Sequence, residues 1–159
     1  VYEAAQKFAR DFKFASQQLR GDRELIKRIL TDAPQQQGSM MTYVSEEILQ
    51  DKQFILEAVT IAGKELMGVP EEMKTFEIVY AAVAQNPWAL QYAGTFIINP
   101  DIISIAANQD IATLNLIPES EKENFELAMA LSCNSVDISW FNPDVVQRIY
   151  QSSRKSANK

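Results

Sequence analysis

One apolar pattern returns along this chain and dictates most of what it can fold into. Two adjacent apolar residues are followed, four positions on, by two more. The pattern stands at Leu25-Ile26/Ile29-Leu30, Phe54-Ile55/Ala58-Val59, Ile78-Val79/Ala82-Val83, Ile102-Ile103/Ala106-Ala107 and Val145-Val146/Ile149-Tyr150, with a weaker copy at Leu127-Ala128/Leu131. Adjacent pairs four apart share one face of an α-helix, so each copy specifies an amphipathic helix with the same buried stripe. The copies start 29, 24, 24, 25 and 18 residues apart. Six unrelated helices would not keep that interval, and a fixed interval of this size is how a helical repeat announces itself.

A second recurring segment lies ahead of the quartets. Phe12, Phe14, Ala15 and Leu19 precede Asp22; Met41, Tyr43, Val44 and Ile48 precede Asp51; Leu90, Tyr92, Ala93 and Ile97 precede Asn99-Pro100-Asp101. These segments read as the shorter second helix of each pair. Asp22, Asp51 and Thr75 stand two or three residues before their quartets, where a side-chain oxygen accepts the first free amide protons of a helix. Asn86-Pro87, Asn99-Pro100 and Asn142-Pro143 put a capping residue before a proline that tolerates the first helical position. Acids follow Pro70 and Pro118, where they complement the helix dipole. Gly63, Gly68 and Gly94 read as helix ends. Thr95–Ile98 is the one stretch with strand character and reads better as the end of a helix. Residues 31–38 and 118–123 read as loops, and 152–159 as a frayed polar tail. The expected fold is all-α: tandem antiparallel helix-pair repeats, five or six of them, forming a short solenoid or a compact helical bundle within a single domain, 1–159. Starting at Val1, the chain reads as a domain excised from a larger protein.

Composition narrows the functional classes. With a net charge of −6, general affinity for nucleic acid or anionic lipid is disfavoured. No apolar run is long enough to span a bilayer, and the charged, amphipathic start is no signal peptide. Histidine is absent, which removes the commonest general base and most zinc sites. Cys133 is the only cysteine and forms no internal disulfide; it reads as a small core residue. No motif in the sequence calls for a metal or cofactor.

The stretch from Phe76 to Ala93, Phe-Glu-Ile-Val-Tyr-Ala-Ala-Val-Ala-Gln-Asn-Pro-Trp-Ala-Leu-Gln-Tyr-Ala, resembles the small helical repeat called domain of unknown function 4116. Residues 51–63 and 12–30 resemble poorer copies in the same phase. Gly68 and Leu116 stand where Tyr92 stands in the best copy. The resemblance implies a setting in bacterial effector proteins of Legionella and its relatives, translocated into host cytoplasm. It brings no catalytic residue with it.

The resulting expectation is a soluble, non-catalytic interaction or scaffold module that binds a protein partner, either a host protein or another domain of the parent chain. The alternative is an accessory or ligand-binding domain of an effector enzyme. Trp140 and Phe141, at the edge of the last unit, are candidate partner-binding residues. Arg20, Arg23, Lys27 and Arg28 form a basic cluster and a candidate anion site, for which a solubilising outer face is the plainer reading. Trp88, Tyr92 and Tyr43 read as core fillers. Glu71, Glu72, Glu119, Glu121 and Glu123 read as solvated helix starts, since their spacing does not gather them on one face.

Overall fold

Four of the apolar quartets lie on α-helices of ten residues each in this computed structural model, which describes residues 9–33 and 37–122. They are α2 (Arg23–Asp32), α4 (Lys52–Ile61), α5 (Phe76–Gln85) and α6 (Pro100–Gln109). Three single-turn helices accompany them: α1 (Gln17–Arg20), α3 (Glu46–Leu49) and α7 (Glu119–Lys122). Helix accounts for 78% of the described residues and none of them forms a strand, so the chain is all-α over this span.

Each long helix starts where its sequence places a cap. Asp22, Asp51 and Thr75 accept the backbone N–H three residues on, and Asn99 accepts from both Asp101 and Ile102. Each helix also stops alike. Ala33, Ala62, Asn86 and Asp110 leave helical geometry while still donating to the carbonyl four residues back. Ten residues is too short for a stable isolated helix, so packing must hold these elements in place. The quartets provide it. Phe54, Ile55, Ala58 and Val59 are buried, as are Ile78, Val79, Ala82 and Val83, and Ile102, Ile103, Ala106 and Ala107. In α2, Ile26, Ile29 and Leu30 are buried and Leu25 is partly so. Helix α2 packs on α4, α4 on α5 and α5 on α6. At about 1.5–3 kcal/mol for each large aliphatic side chain removed from water, these stripes outweigh any local propensity term.

The shorter second segments are mostly 3₁₀-helical rather than α-helical. Six-residue 3₁₀ helices occupy Gly63–Gly68, Pro87–Tyr92 and Ile111–Leu116, each separated from the preceding long helix by one extended residue. Others span Ala9–Phe14, Met40–Thr42, Glu71–Met73 and Gly94–Ile98. A 3₁₀ helix turns every three residues, so Leu66, Leu90 and Leu114 and, three residues further, Val69, Ala93 and Ile117 all point inward and are buried. The loops expected at 31–38 and 118–123 are shorter than their sequence suggests: α2 runs on through Asp32, and Glu119–Lys122 is a helical turn. Gly63 and Gly94 open 3₁₀ helices instead of closing helices, whereas Gly68 closes one.

Candidate functional site

The basic cluster is the first place to look for unspent charge, and most of it is spent. Arg23 pairs with the Asp51 carboxylate, and Lys27 Nζ lies 2.5 Å from Glu57 Oε2, so α2 and α4 are laced by two ion pairs. Both cations also stand over the buried Phe54 ring, at 5.4 and 5.8 Å from its centroid. Arg28 reaches Asp32 one turn on at 3.8 Å. The Phe54 amide, and then the Arg23 guanidinium, hold the Asp51 carboxyl below its usual range. The hydrogen bond from Lys27 does the same for Glu57, and the Lys27 ammonium is raised in return. These are solvent-facing pairs of small individual worth. They commit Arg23, Lys27 and Arg28 to carboxylates of the same chain. Arg20 stands apart, with its Nε buried and unpartnered and its carbonyl accepting from Ser45 N.

A second polar feature is wholly buried. Glu65, fully shielded from solvent, accepts through Oε2 from Ser39 Oγ at 2.7 Å and from Met41 N at 3.0 Å, while Oε1 has no partner. The carboxyl thereby serves the free amide end of the Met40–Thr42 helix from 24 residues away. Gly68 lies against the same segment, where an added Cβ would run into Thr42 N, Met41 C and Ser39 Oγ. Burial raises the Glu65 pKa, against the lowering effect of its Ser39 and Met41 bonds. A raised folded-state pKa means that the native state holds its proton to higher pH than the unfolded chain does. The cost of ionising Glu65 is therefore absent below the unfolded-state value and grows as pH rises through and beyond it. Denaturant unfolding at a series of pH values between 4 and 8 is expected to show Glu65→Gln gaining on the natural chain as pH rises. A constant difference across that range would refute it.

Aromatic side chains form the outward feature. Phe76 and Tyr80 lie one turn apart on the solvent side of α5, 42% and 41% exposed, with ring centroids 5.7 Å apart. Trp88 is not the core filler its sequence position suggests: it is 41% exposed, and its Nε1 donates to Asp110 Oδ2 at 3.0 Å. The physical reason is the three-residue turn of the 3₁₀ helix, which sends Ala89, Leu90 and Ala93 inward and Trp88 and Gln91 outward. Tyr43 and Tyr92 are partly buried against the core. Among the acids, Glu71 pairs with Lys74 and accepts from Thr95 N, which keeps its carboxyl below the usual range. Among the described residues no group of three or more Cys, Asp or Glu could hold a metal ion, and no helix is long and apolar enough to cross a membrane.

The chain matches no model of a known protein family, and searches of curated proteins and of solved structures find no match either.

Trp140 and Phe141, Cys133 and Glu123 lie outside the described residues. The features that sequence reading missed are Glu65 and the exposed α5 pair. Glu65 carried a signal: positions 24 and 48 residues further on hold Ala89 and Thr113, both buried, so a carboxylate occupies a slot that elsewhere takes a small side chain. Phe76 and Tyr80 flank a quartet at positions held in α2 by charged Arg23 and Lys27, and a large apolar residue at an outward position marks a surface worth testing.

Proposed function

We propose that this chain is a tandem helical-repeat scaffold, non-catalytic in itself, which presents its outer helix faces to a protein partner. The observation that carries the reading is a shared interval. A cap, a ten-residue helix, one extended residue and a six-residue 3₁₀ helix begin at Asp51, again at Thr75 and again at Asn99, 24 residues apart each time. Side-chain ties between neighbouring units keep nearly the same interval. Gly63 N donates to Gln85 Oε1 (22 residues apart), Thr95 N to Glu71 Oε1 (24), Met41 N to Glu65 Oε2 (24), and Gln109 Nε2 to the Val83 carbonyl (26). Ties between neighbouring units are what a linear array requires. The resemblance of residues 76–93 to a helical repeat of bacterial effectors supports the same reading and its setting: a module of a larger protein delivered into host cytoplasm.

An array tolerates an extra unit; a single closed core does not. Inserting a second copy of residues 76–99 between Asn99 and Pro100 is expected to give a folded protein with a melting temperature equal to or above that of the original. Loss of cooperative unfolding would sink the repeat reading. The partner-binding reading is tested at Phe76 and Tyr80. A photo-crosslinking residue at position 80 is expected to capture a defined partner that the same group at exposed Thr31 does not. With the photo-crosslinking residue placed instead at exposed Ala84, one turn beyond Tyr80, replacing Phe76 and Tyr80 with serine is expected to abolish capture while moving stability by no more than about 0.5 kcal/mol per site, as for other surface changes. Capture that survives the double substitution would place binding elsewhere.

A further inference from the structure

We infer that the cleft between α1 and α3 is a docking site for a basic side chain, the arginine or lysine of a partner polypeptide; the inference rests on the scaffold reading and names the chemistry of what such a scaffold would hold. The cleft measures about 400 Å³ and is lined by Gln17, Gln18, Gly21, Ser45, Glu46 and Glu47. Its polar groups are unspent. The side chains of Gln17, Gln18, Glu46 and Glu47 make no hydrogen bond or ion pair among the described residues. The carboxylates of Asp51, Glu57, Glu65 and Glu71, by contrast, are all engaged.

Ser45 is the deciding residue. It is 7% exposed and its hydroxyl has no partner, an exception to the rule that buried polar groups are satisfied. It also occupies the N-cap of α3, where a serine hydroxyl ordinarily takes an amide proton, and makes no such bond. Ser16 and Ser39, at the caps of their own helices, both do. The Ser45 hydroxyl is thus withheld from the structural work its position offers. Gly21 stands next to it in the cleft wall; the hydroxyl oxygen is buried beneath that wall, and a Cβ at Gly21 would come within 3.3 Å of it.

The constellation is two carboxylates, which only accept, with two amide groups and a hydroxyl, which accept as well as donate, gathered on a chain of net charge −6. It suits a cation that carries several donors. A guanidinium offers five N–H groups in a fixed fork and an ammonium three. Arg20, the neighbouring cation, does not line the cleft.

The test is an NMR titration of the full chain with a capped peptide of alternating arginine and glycine, against the same peptide with glutamate for arginine. Saturable shifts are expected at the amides of Gly21, Ser45 and Glu46 with the arginine peptide alone. Ser45→Ala is expected to leave the melting temperature unchanged and to weaken binding roughly fivefold, the value of one hydrogen bond. The double variant Glu46→Gln/Glu47→Gln is expected to weaken it tenfold or more, while Glu77→Gln, an exposed acid on α5, changes it less than twofold. Absence of shifts at Gly21 and Ser45 overturns the inference, and so does equal weakening by Glu77→Gln, which would mean charge attraction without a site. A partner captured at position 80 together with a silent cleft would defeat this inference alone and leave the scaffold reading standing.

Discussion

Replacing Phe54 by alanine is expected to cost about 3–5 kcal/mol, the range for deleting a buried aromatic ring, and to lower the melting temperature by roughly 10 °C or more. The ring is 1% exposed, begins the α4 quartet and faces α2. The Arg23 guanidinium and the Lys27 ammonium also stand over the ring. Two contributions are therefore mixed in one residue, and their sizes separate them. A cation over a ring at an exposed site is worth about 0.5–1 kcal/mol, several times less than the packing. Phe54→Leu keeps most of the buried volume and gives up the ring, so it is expected to cost no more than about 1.5 kcal/mol. Chemical denaturation of both variants checks this. If leucine proved as damaging as alanine, the electrostatic platform and not the packing would be what Phe54 supplies.

Gly63→Ala is the second large effect, expected at about 3 kcal/mol of destabilisation, the upper part of the range for overpacking. Glycine to alanine in a helical segment ordinarily stabilises by up to about 1 kcal/mol, so the expected sign is the reverse of the usual one. The cause is close approach. A Cβ at Gly63 would collide with the Ala82 carbonyl oxygen on α5 and come within 3.0 Å of Asn86 Cβ and Gln85 Oε1. The backbone amide of Gly63 is at the same time held by Gln85 Oε1 at 2.6 Å. The closest obstacle is a backbone carbonyl rather than the movable tip of Gln85, so a methyl group here must push α5 away from the Gly63–Gly68 helix. Gly21→Ala is the contrast: its nearest contact would be 3.3 Å from a serine hydroxyl, and a much smaller loss is expected. Equal stability of Gly63→Ala and the natural chain would show that the two helices are not packed as closely as described.

Particular residues show how far the sequence could be read. The long helices were legible because their quartets repeat at helical period and because Asp22, Asp51, Thr75 and Asn99 announce each start by hydrogen-bonding chemistry that any helix needs. The second segments were legible as helical but not as 3₁₀. In six residues, apolar positions such as Leu90 and Ala93 satisfy an α-helical or a 3₁₀ reading equally, and the direction of Trp88 depends on which one wins. Close approaches were not legible at all: nothing in the sequence around Gly63 or Gly68 says which backbone will lie against it. Glu65 was hidden for a related reason. Its partners, Ser39 and Met41, are distant in sequence, and a carboxylate beside Lys64 resembles surface until the neighbouring units are aligned with it. The basic cluster was visible as a cluster, while its neutralisation by Asp51 and Glu57 required the packing of α2 on α4.

The four ten-residue helices have a consequence for how the protein is made. Each is too short to persist alone, and α4 and α5 begin 24 residues before the helix that next covers them, α5 and α6. On the ribosome, a helix that has just left the exit tunnel can pack at once on the helix made before it, but must wait for roughly two dozen more residues before the next long helix covers its other side. Synthesis and folding would then advance in equal steps, each newly emerged segment closing over the one before it.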